Sequence, residues 1–275
     1  VLQKRGKLEA DLMQPLQSPL EATSLQNLES TLKFQGVARV DQVVDINLCD
    51  ELRSLLLQQR DANISNPLQF AKCLLSHQRW DMLLDFDHPL KRDALRQLLN
   101  ELGPTLSNIL GKDATLHEWA CLISAPGSHR QNIHPDHSFQ STALCLTCFV
   151  ALQPVSKDMG PTVWIPQSHS SREVHDQFQR VRVEDVLVGV SPKDLLLRQR
   201  PNQVGLLRKG ACAVFDSRLL HGGTANTSEE DERLMLYASF ARKGADLGTE
   251  TGSLLPHLRE QYTLEGLMEE LKGVG

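Results

Sequence analysis

The feature that most limits the fold of this chain is a change of texture near Asp113. Before it, apolar residues recur at helical spacing. Leu48, Leu52, Leu55 and Leu56 make one stripe, with Asn47 as its expected cap. Leu95, Leu98, Leu99 and Leu102 make a second, which Gly103-Pro104 is expected to interrupt before Leu106, Ile109 and Leu110 resume it. After Asp113 come short runs of β-type composition at 115–123, 142–152, 162–165, 204–207, 211–215 and 234–240, punctuated by Gly and Pro. Helices first and many short strands afterwards predict a mainly β fold with flanking helices, a sandwich or barrel buttressed by its amino-terminal part. Leu264, Leu267, Met268 and Leu271 predict one closing helix. The expectation is a single domain over 1–275, with a mainly helical buttress at 1–112, a β core at 113–243 and a helical tail at 244–275.

Charge and cysteine usage narrow the function. Lys and Arg number 29 against 34 Asp and Glu, a formal charge of -5, and no basic block of the kind that tracks phosphates is present, which argues against a nucleic-acid partner. No apolar stretch approaches the roughly 20 residues of a membrane span, and the segment around Lys4, Arg5, Lys7, Glu9 and Asp11 lacks a signal-peptide core. A soluble, cytoplasmic protein with a small-molecule partner and no membrane partner is expected. The 6 cysteines sit in largely apolar surroundings and read as free buried thiols. Cys145 and Cys148 lie three apart in a strand, so they point to opposite faces and read as core residues rather than a metal pair.

An insertion at 170–203 separates the strands, carrying Arg172, Arg180, Arg182, Lys193, Arg198 and Arg200 and an apolar run at 186–190 that is expected to pack.

The chemistry concentrates elsewhere, in a His-x-Asp at His134 and Asp136. In extended backbone, positions two apart project to the same side, so an imidazole and a carboxylate can grip one ion. With 10 histidines in the chain, chance supplies such a pair often enough that it is weak alone. His221 strengthens it, standing beside a glycine pair just after the run at 211–215. Two imidazoles and one carboxylate leave positions open on an octahedral Fe(II), as oxygen activation requires, whereas structural zinc would close its shell with a fourth ligand. Twelve residues beyond His221, Arg233 opens a strand in which it shares a face with Met235, Tyr237 and Ser239. A buried guanidinium needs a carboxylate, and the distal carboxylate of 2-oxoglutarate supplies one in bidentate geometry. Alone, Arg233 is better read as a strand-start residue facing water or paired with Asp231 or Glu232; the three ligands reverse that balance.

These residues resemble the phytanoyl-CoA dioxygenase family of Fe(II)/2-oxoglutarate-dependent oxygenases. The resemblance covers 119–240 and rests on the series Leu122-Ile-Ser-Ala-Pro-Gly127, His134-Pro-Asp136, Phe149-Val-Ala-Leu152, Met159-Gly-Pro-Thr162, Ile165-Pro-Gln-Ser-His169, the run from Asp216 to Gly223, and Arg233. It implies a double-stranded β-helix (jelly-roll) core, with Fe(II), 2-oxoglutarate and O2 as cofactor and cosubstrates. It implies His134, Asp136 and His221 as iron ligands, Arg233 as anchor of the distal carboxylate, Cys121 and Phe149 as cosubstrate pocket walls, and Gln131 as a hydrogen-bond donor to the cosubstrate. Where some members place a Ser two residues after the distal His, this chain has Gly223, so Thr224 or Ser239 would compensate or Arg233 act alone. The implied outcome is oxidation of a small organic metabolite, hydroxylation first, with desaturation or ring closure open to the same chemistry. Asp136 disfavours halogenation, for which relatives carry a small residue there. Two other readings share the ligands: a cupin-like metal enzyme without 2-oxoglutarate, and a catalytically silent jelly-roll binding protein. Trp80, Trp119 and Trp164 are candidate pocket walls, and Arg130 with the basic residues of the insertion suggests an acidic group on the substrate.

Overall fold

A computed structural model describes residues 17–71, 78–180, 197, 199–248 and 252–272. Its frame is two facing sheets with helices on the outer face of the larger one.

The helices follow the apolar stripes. Helix α1 (Leu25–Gln35) buries Leu28 and Leu32 and ends at Gly36, whose left-handed φ of 81° lets its N–H reach Leu32 O at 2.8 Å. Helix α2 (Ile46–Asn63) buries Leu48, Leu52 and Leu56. Its cap is Asp45, not Asn47: the Asp45 carboxylate accepts from the N–H groups of Asn47 (2.8 Å) and Leu48 (3.1 Å). Helix α3 (Pro89–Leu110) runs straight through Gly103-Pro104, where the sequence predicts a break. The apolar face on both sides of the pair, from Leu95 to Leu110, is buried, and this outweighs the roughly 3 kcal/mol penalty of an internal proline. Gly103 is also where the closing helix comes close: a Cβ there would stand 2.8 Å from Met268 Sδ. The insertion opens with helix α4 (Arg172–Arg180), and the closing helix α5 (Leu264–Lys272) forms as expected.

The strands among the described residues are β1 (Gln17–Pro19), β2 (Val37–Val40), β3 (Arg79–Leu83), β4 (Thr115–Ser124), β5 (Cys145–Ala151), β6 (Thr162–Trp164), β7 (Asn202–Val204), β8 (Cys212–Asp216), β9 (His221–Gly223) and β10 (Arg233–Ala241). They form a six-stranded sheet in the order β2-β8-β5-β10-β4-β3 and a four-stranded sheet in the order β1-β7-β6-β9. The expected β core is therefore present, but the segment at 1–112 is not purely a helical buttress. Its β2 and β3 close the two edges of the large sheet, and β1 closes an edge of the small one. These strands are too short, at three to five residues, for their periodicity to stand out against the helical stripes around them.

Alternation divides the large sheet. Trp119, Cys121, Ile123, Cys148, Val150, Cys212, Val214, Leu234 and Leu236 pack with the helices. Ala120, Phe149, Ala151, Ala213, Phe215, Met235 and Tyr237 face the small sheet. Cys148 thus belongs to the helix-side core, and five free cysteines, Cys145 and Cys148 among them, are buried. Val174 and Phe178 of α4, with Leu197, pack against Ile133, Val163, Ile165 and Leu220, so the insertion does pack where it is described; the run at 186–190, with Arg182, Lys193 and Arg198, lies outside the described residues. No helix among the described residues is long and apolar enough to cross a membrane.

Candidate metal centre

The segment carrying His134 and Asp136 has no long strand of its own. It is held by β9 and the turn before it. His134 and His221 form an antiparallel bridge in which each N–H donates to the other's carbonyl at 2.9 Å. The Asp136 N–H donates to Ser217 O at 2.9 Å. That turn is fixed in turn by a buried ion pair of Asp216 with Arg218, and Arg218 Nη1 also donates to Gln140 O at 2.6 Å, tying down the far side of the loop. The backbone thus brings together residues 87 positions apart in the chain.

Their side chains converge. One ligand atom from each of His134, Asp136 and His221 lies within 4.8 Å of the others. Asp136 Oδ1 is 3.5 Å from His221 Nε2 and 3.9 Å from His134 Nε2. Each imidazole places Nδ1 against the carbonyl two residues earlier, Asn132 O at 2.7 Å and Leu219 O at 2.9 Å. Such a carbonyl takes the Nδ1 proton and leaves Nε2 with its lone pair toward the site. Burial lowers the pKa of His221, which keeps its ring neutral and suited to a metal. The donor set fits a divalent metal with open positions.

The three ligands line a cavity of about 160 Å³ together with Asp81, Glu118, Leu122, Gln131, Thr147, Phe149, Thr162, Tyr237 and Ser253. Phe149 and Gln131 both line this cavity. Cys121 does not: its neighbour Leu122 lines the cavity while Cys121 faces the helices, because successive residues of β4 point to opposite faces. Trp119 and Trp164 are core residues, and Trp80 lies under the Arg60 guanidinium at 5.1 Å, so none of the three is a cavity wall.

Arg233 stands at one end of this inner face. It is 1% exposed, donates to Gly160 O and, at 3.2 Å, to Ser124 Oγ, and its Nε has no hydrogen-bond partner among the described residues. Burial first, and the nearby Arg79 second, push its pKa down to about 9. An anion beside it would reverse that cost. Arg79 and Arg233 flank Ser124 on the neighbouring strands β3 and β10. Gly223 is what lets them meet, since a Cβ there would stand 2.9 Å from Arg79 Nη1, 2.8 Å from Gln131 Oε1 and 3.6 Å from Arg233 Nη2. Neither Thr224 nor Ser239 fills the place of the missing Ser: Thr224 Oγ1 donates to Pro161 O at 2.9 Å, and Ser239 bonds Thr147 and Glu118. Gly223→Ala should displace the ends of Arg79 and Gln131, both flexible, with little loss of stability. If these groups serve the cosubstrate, the variant should raise the 2-oxoglutarate concentration for half-maximal turnover by about tenfold. An unchanged requirement in a steady-state titration would remove both from the site.

Two carboxylates share this face, Asp81 two residues along β3 from Arg79 and Glu118 six residues back along β4 from Ser124. Glu118 accepts from Ser239 Oγ, and Asp81 accepts from Tyr237 Oη at 2.7 Å and Ser253 Oγ at 2.6 Å. Burial, then Asp136, then Asp81 push Glu118 up to about 7. A carboxyl raised in this way favours the protonated fold, so its contribution is full below its unfolded pKa of 4.5 and is lost as pH rises through about 7. Glu118→Gln should therefore match the metal-free wild type at pH about 4.5 and exceed its stability above pH about 7, by on the order of 2 kcal/mol in chemical denaturation. A gap independent of pH would contradict the assignment. Sequence reading missed Glu118 because of a bulge. Between β10 and β4 the partners of Ser239 and Phe240 are Glu118 and Leu116, so His117 is skipped and the phase of the strand reverses. Leu116 packs with the helices while Glu118 enters the cavity. Arg79 and Asp81 alternate correctly, but only in a five-residue strand that the sequence reading did not assign.

Residues 35–235 match the family model described as phytanoyl-CoA dioxygenase (PhyH). No curated protein gives a significant sequence match. Among solved structures, HygX from Streptomyces hygroscopicus, with nickel and 2-oxoglutarate bound, superposes with a TM-score of 0.59 at 15% identity, over 85% of this chain and 96% of that one. The non-heme alpha ketoglutarate dependent epimerase SnoN from nogalamycin biosynthesis gives 0.56 at 19% identity, over 84% and 94%. The carbocyclase SnoK from the same biosynthesis gives 0.54 at 14% identity, over 80% and 87%. At such identities the likeness speaks for the fold, a jelly-roll core with flanking helices.

Proposed function

Because this chain belongs to the phytanoyl-CoA dioxygenase family, an Fe(II)/2-oxoglutarate-dependent family, we propose that it oxidises a small organic molecule, with hydroxylation of a C–H bond as its outcome. The observation that carries the reading is the convergence of His134, Asp136 and His221 in one cavity, with the buried Arg233 at the end of the same sheet face. His134, Asp136 and His221 would hold the iron through their Nε2, carboxylate and Nε2 atoms. Arg233 would take the distal carboxylate of 2-oxoglutarate on the side where its Nε has no partner, with Arg79 close enough to add a second positive charge. Gln131 accepts from the Gly223 N–H through Oε1 at 3.0 Å, which turns its Nε2 donor toward the cavity. Phe149 and Leu122 supply an apolar wall that keeps water from the reacting centre. When bound, iron and 2-oxoglutarate supply the oxidising chemistry, the keto acid losing CO2 to give succinate as O2 is reduced.

The test has two parts. Anaerobic Fe(II) plus 2-oxoglutarate should give a visible charge-transfer band in the wild type that His134→Ala loses, and admission of O2 should yield succinate. A wild type with neither band nor succinate would overturn the reading.

A further inference from the structure

Helix α4, which opens the insertion, reaches both parts of the metal centre. Val174 and Phe178, four apart and so on one side of the helix, belong to an apolar cluster with Ile133 and Leu220, the residues immediately before His134 and His221. Arg172 and His175, three apart, both meet the ring of Phe139, which stands three residues after Asp136. The Arg172 guanidinium carbon lies 5.0 Å from the Phe139 ring centroid, and the His175 ring centroid lies 5.2 Å from it.

The two histidines hold one another through their backbones, but the segment Asp136-His-Ser-Phe-Gln140 has fewer supports. The N–H groups of Asp136 and His137 share one acceptor, Ser217 O, at 2.9 and 3.1 Å. The next backbone anchor is Gln140 O, which accepts from Arg218 Nη1 at 2.6 Å. Phe139 stands between these anchors, half-buried in an otherwise polar run. Its partners on α4 suit a ring. His175 is 1% exposed, and burial lowers its pKa, so the imidazole is neutral and meets Phe139 as a tilted aromatic pair. Arg172 lies over the same ring as a cation. Arg172, which reads from sequence as a partner for an acidic substrate, is thus engaged with Phe139, and none of Arg130, Arg172 and Arg200 lines the cavity.

We propose that α4, by clamping Phe139, fastens the Asp136 carboxylate in place beside the histidine bridge. Phe139 is then a positioning residue for the metal, and metal affinity is set by the insertion as well as by the β core. The inference rests on the metal reading above.

Co(II) is titrated into the metal-free full chain as wild type, Phe139→Leu, Phe139→Tyr and Arg172→Gln, and its binding is followed by visible absorption. Leucine keeps an apolar side chain but has no ring face, whereas tyrosine keeps one. Phe139→Leu should bind Co(II) about tenfold more weakly than the wild type, and Arg172→Gln about threefold more weakly. Phe139→Tyr should bind as the wild type does. A side chain that merely filled space would be replaced by leucine without loss. In the metal-free protein, Phe139→Leu should speed hydrogen exchange about tenfold at the Asp136 and His137 amides and leave the His134 and His221 amides unchanged. The proposal is overturned if Phe139→Leu keeps wild-type affinity, if Phe139→Tyr fails to restore it, or if exchange rises equally at His134 and His221. A wild type that binds no Co(II) would instead strike the metal reading, and the exchange comparison, which needs no metal, would then decide the clamp.

Discussion

Asp136→Ala should abolish metal binding and lower 2-oxoglutarate-dependent succinate formation by on the order of 10³-fold, with the fold intact. The substitution isolates metal chemistry because the Asp136 side chain is a third exposed, at 33%, and its backbone bond to Ser217 O does not depend on the side chain. His221→Ala should cost as much activity, but the His221 side chain is only 6% exposed and packs against Phe215 at 4.9 Å between ring centroids, so it should also cost stability. Equilibrium dialysis against Fe(II) or Co(II), circular dichroism and succinate release separate the two effects. An Asp136→Ala protein that keeps wild-type metal affinity would sink the assignment of the triad.

Arg233→Met should raise the 2-oxoglutarate concentration for half-maximal turnover by on the order of 100-fold, the value of a buried charge-assisted pair at about 2–3 kcal/mol. Methionine keeps much of the side-chain volume and removes a guanidinium whose burial is already unfavourable, as its lowered pKa of about 9 reflects. The loss should therefore appear in cosubstrate affinity far more than in folding. Saturating 2-oxoglutarate should restore much of the maximal rate, which distinguishes lost binding from lost chemistry. A variant with an unaltered 2-oxoglutarate requirement would return Arg233 to a purely structural role and reopen the reading of a metal enzyme without 2-oxoglutarate.

The sequence makes the metal triad legible because its members lie in recognisable contexts, a His-x-Asp and a His-Gly-Gly after a β run. Arg233, Met235, Tyr237 and Ser239 share a face by simple alternation, and β10 does align Arg233 with Ser124 and Tyr237 with Ala120 in register. What escaped reading is local irregularity. The bulge at His117 turns Glu118 inward, β3 is too brief to announce Asp81 and Arg79, and Cys121 differs from Leu122 by a single step of phase. Pro104 misled in the opposite direction, since a local helix breaker is overridden by a long buried face that only the tertiary structure reveals. The space occupied by Arg79 and Gln131 beside Gly223 likewise depends on three segments far apart in the chain.

The bridge between His134 and His221 has a mechanical consequence. Because each backbone amide holds the other's carbonyl at 2.9 Å, the two imidazoles ride on one rigid rung, and a shift of the loop carries both together. Their mutual spacing is therefore conserved through fluctuation, while Asp136 hangs from Ser217 by a separate bond and supplies the adjustable arm of the grip. A metal held here would meet two histidines on one rung and a carboxylate on a separate bond, so differences in metal size should register in the Asp136 carboxylate before they register in either histidine.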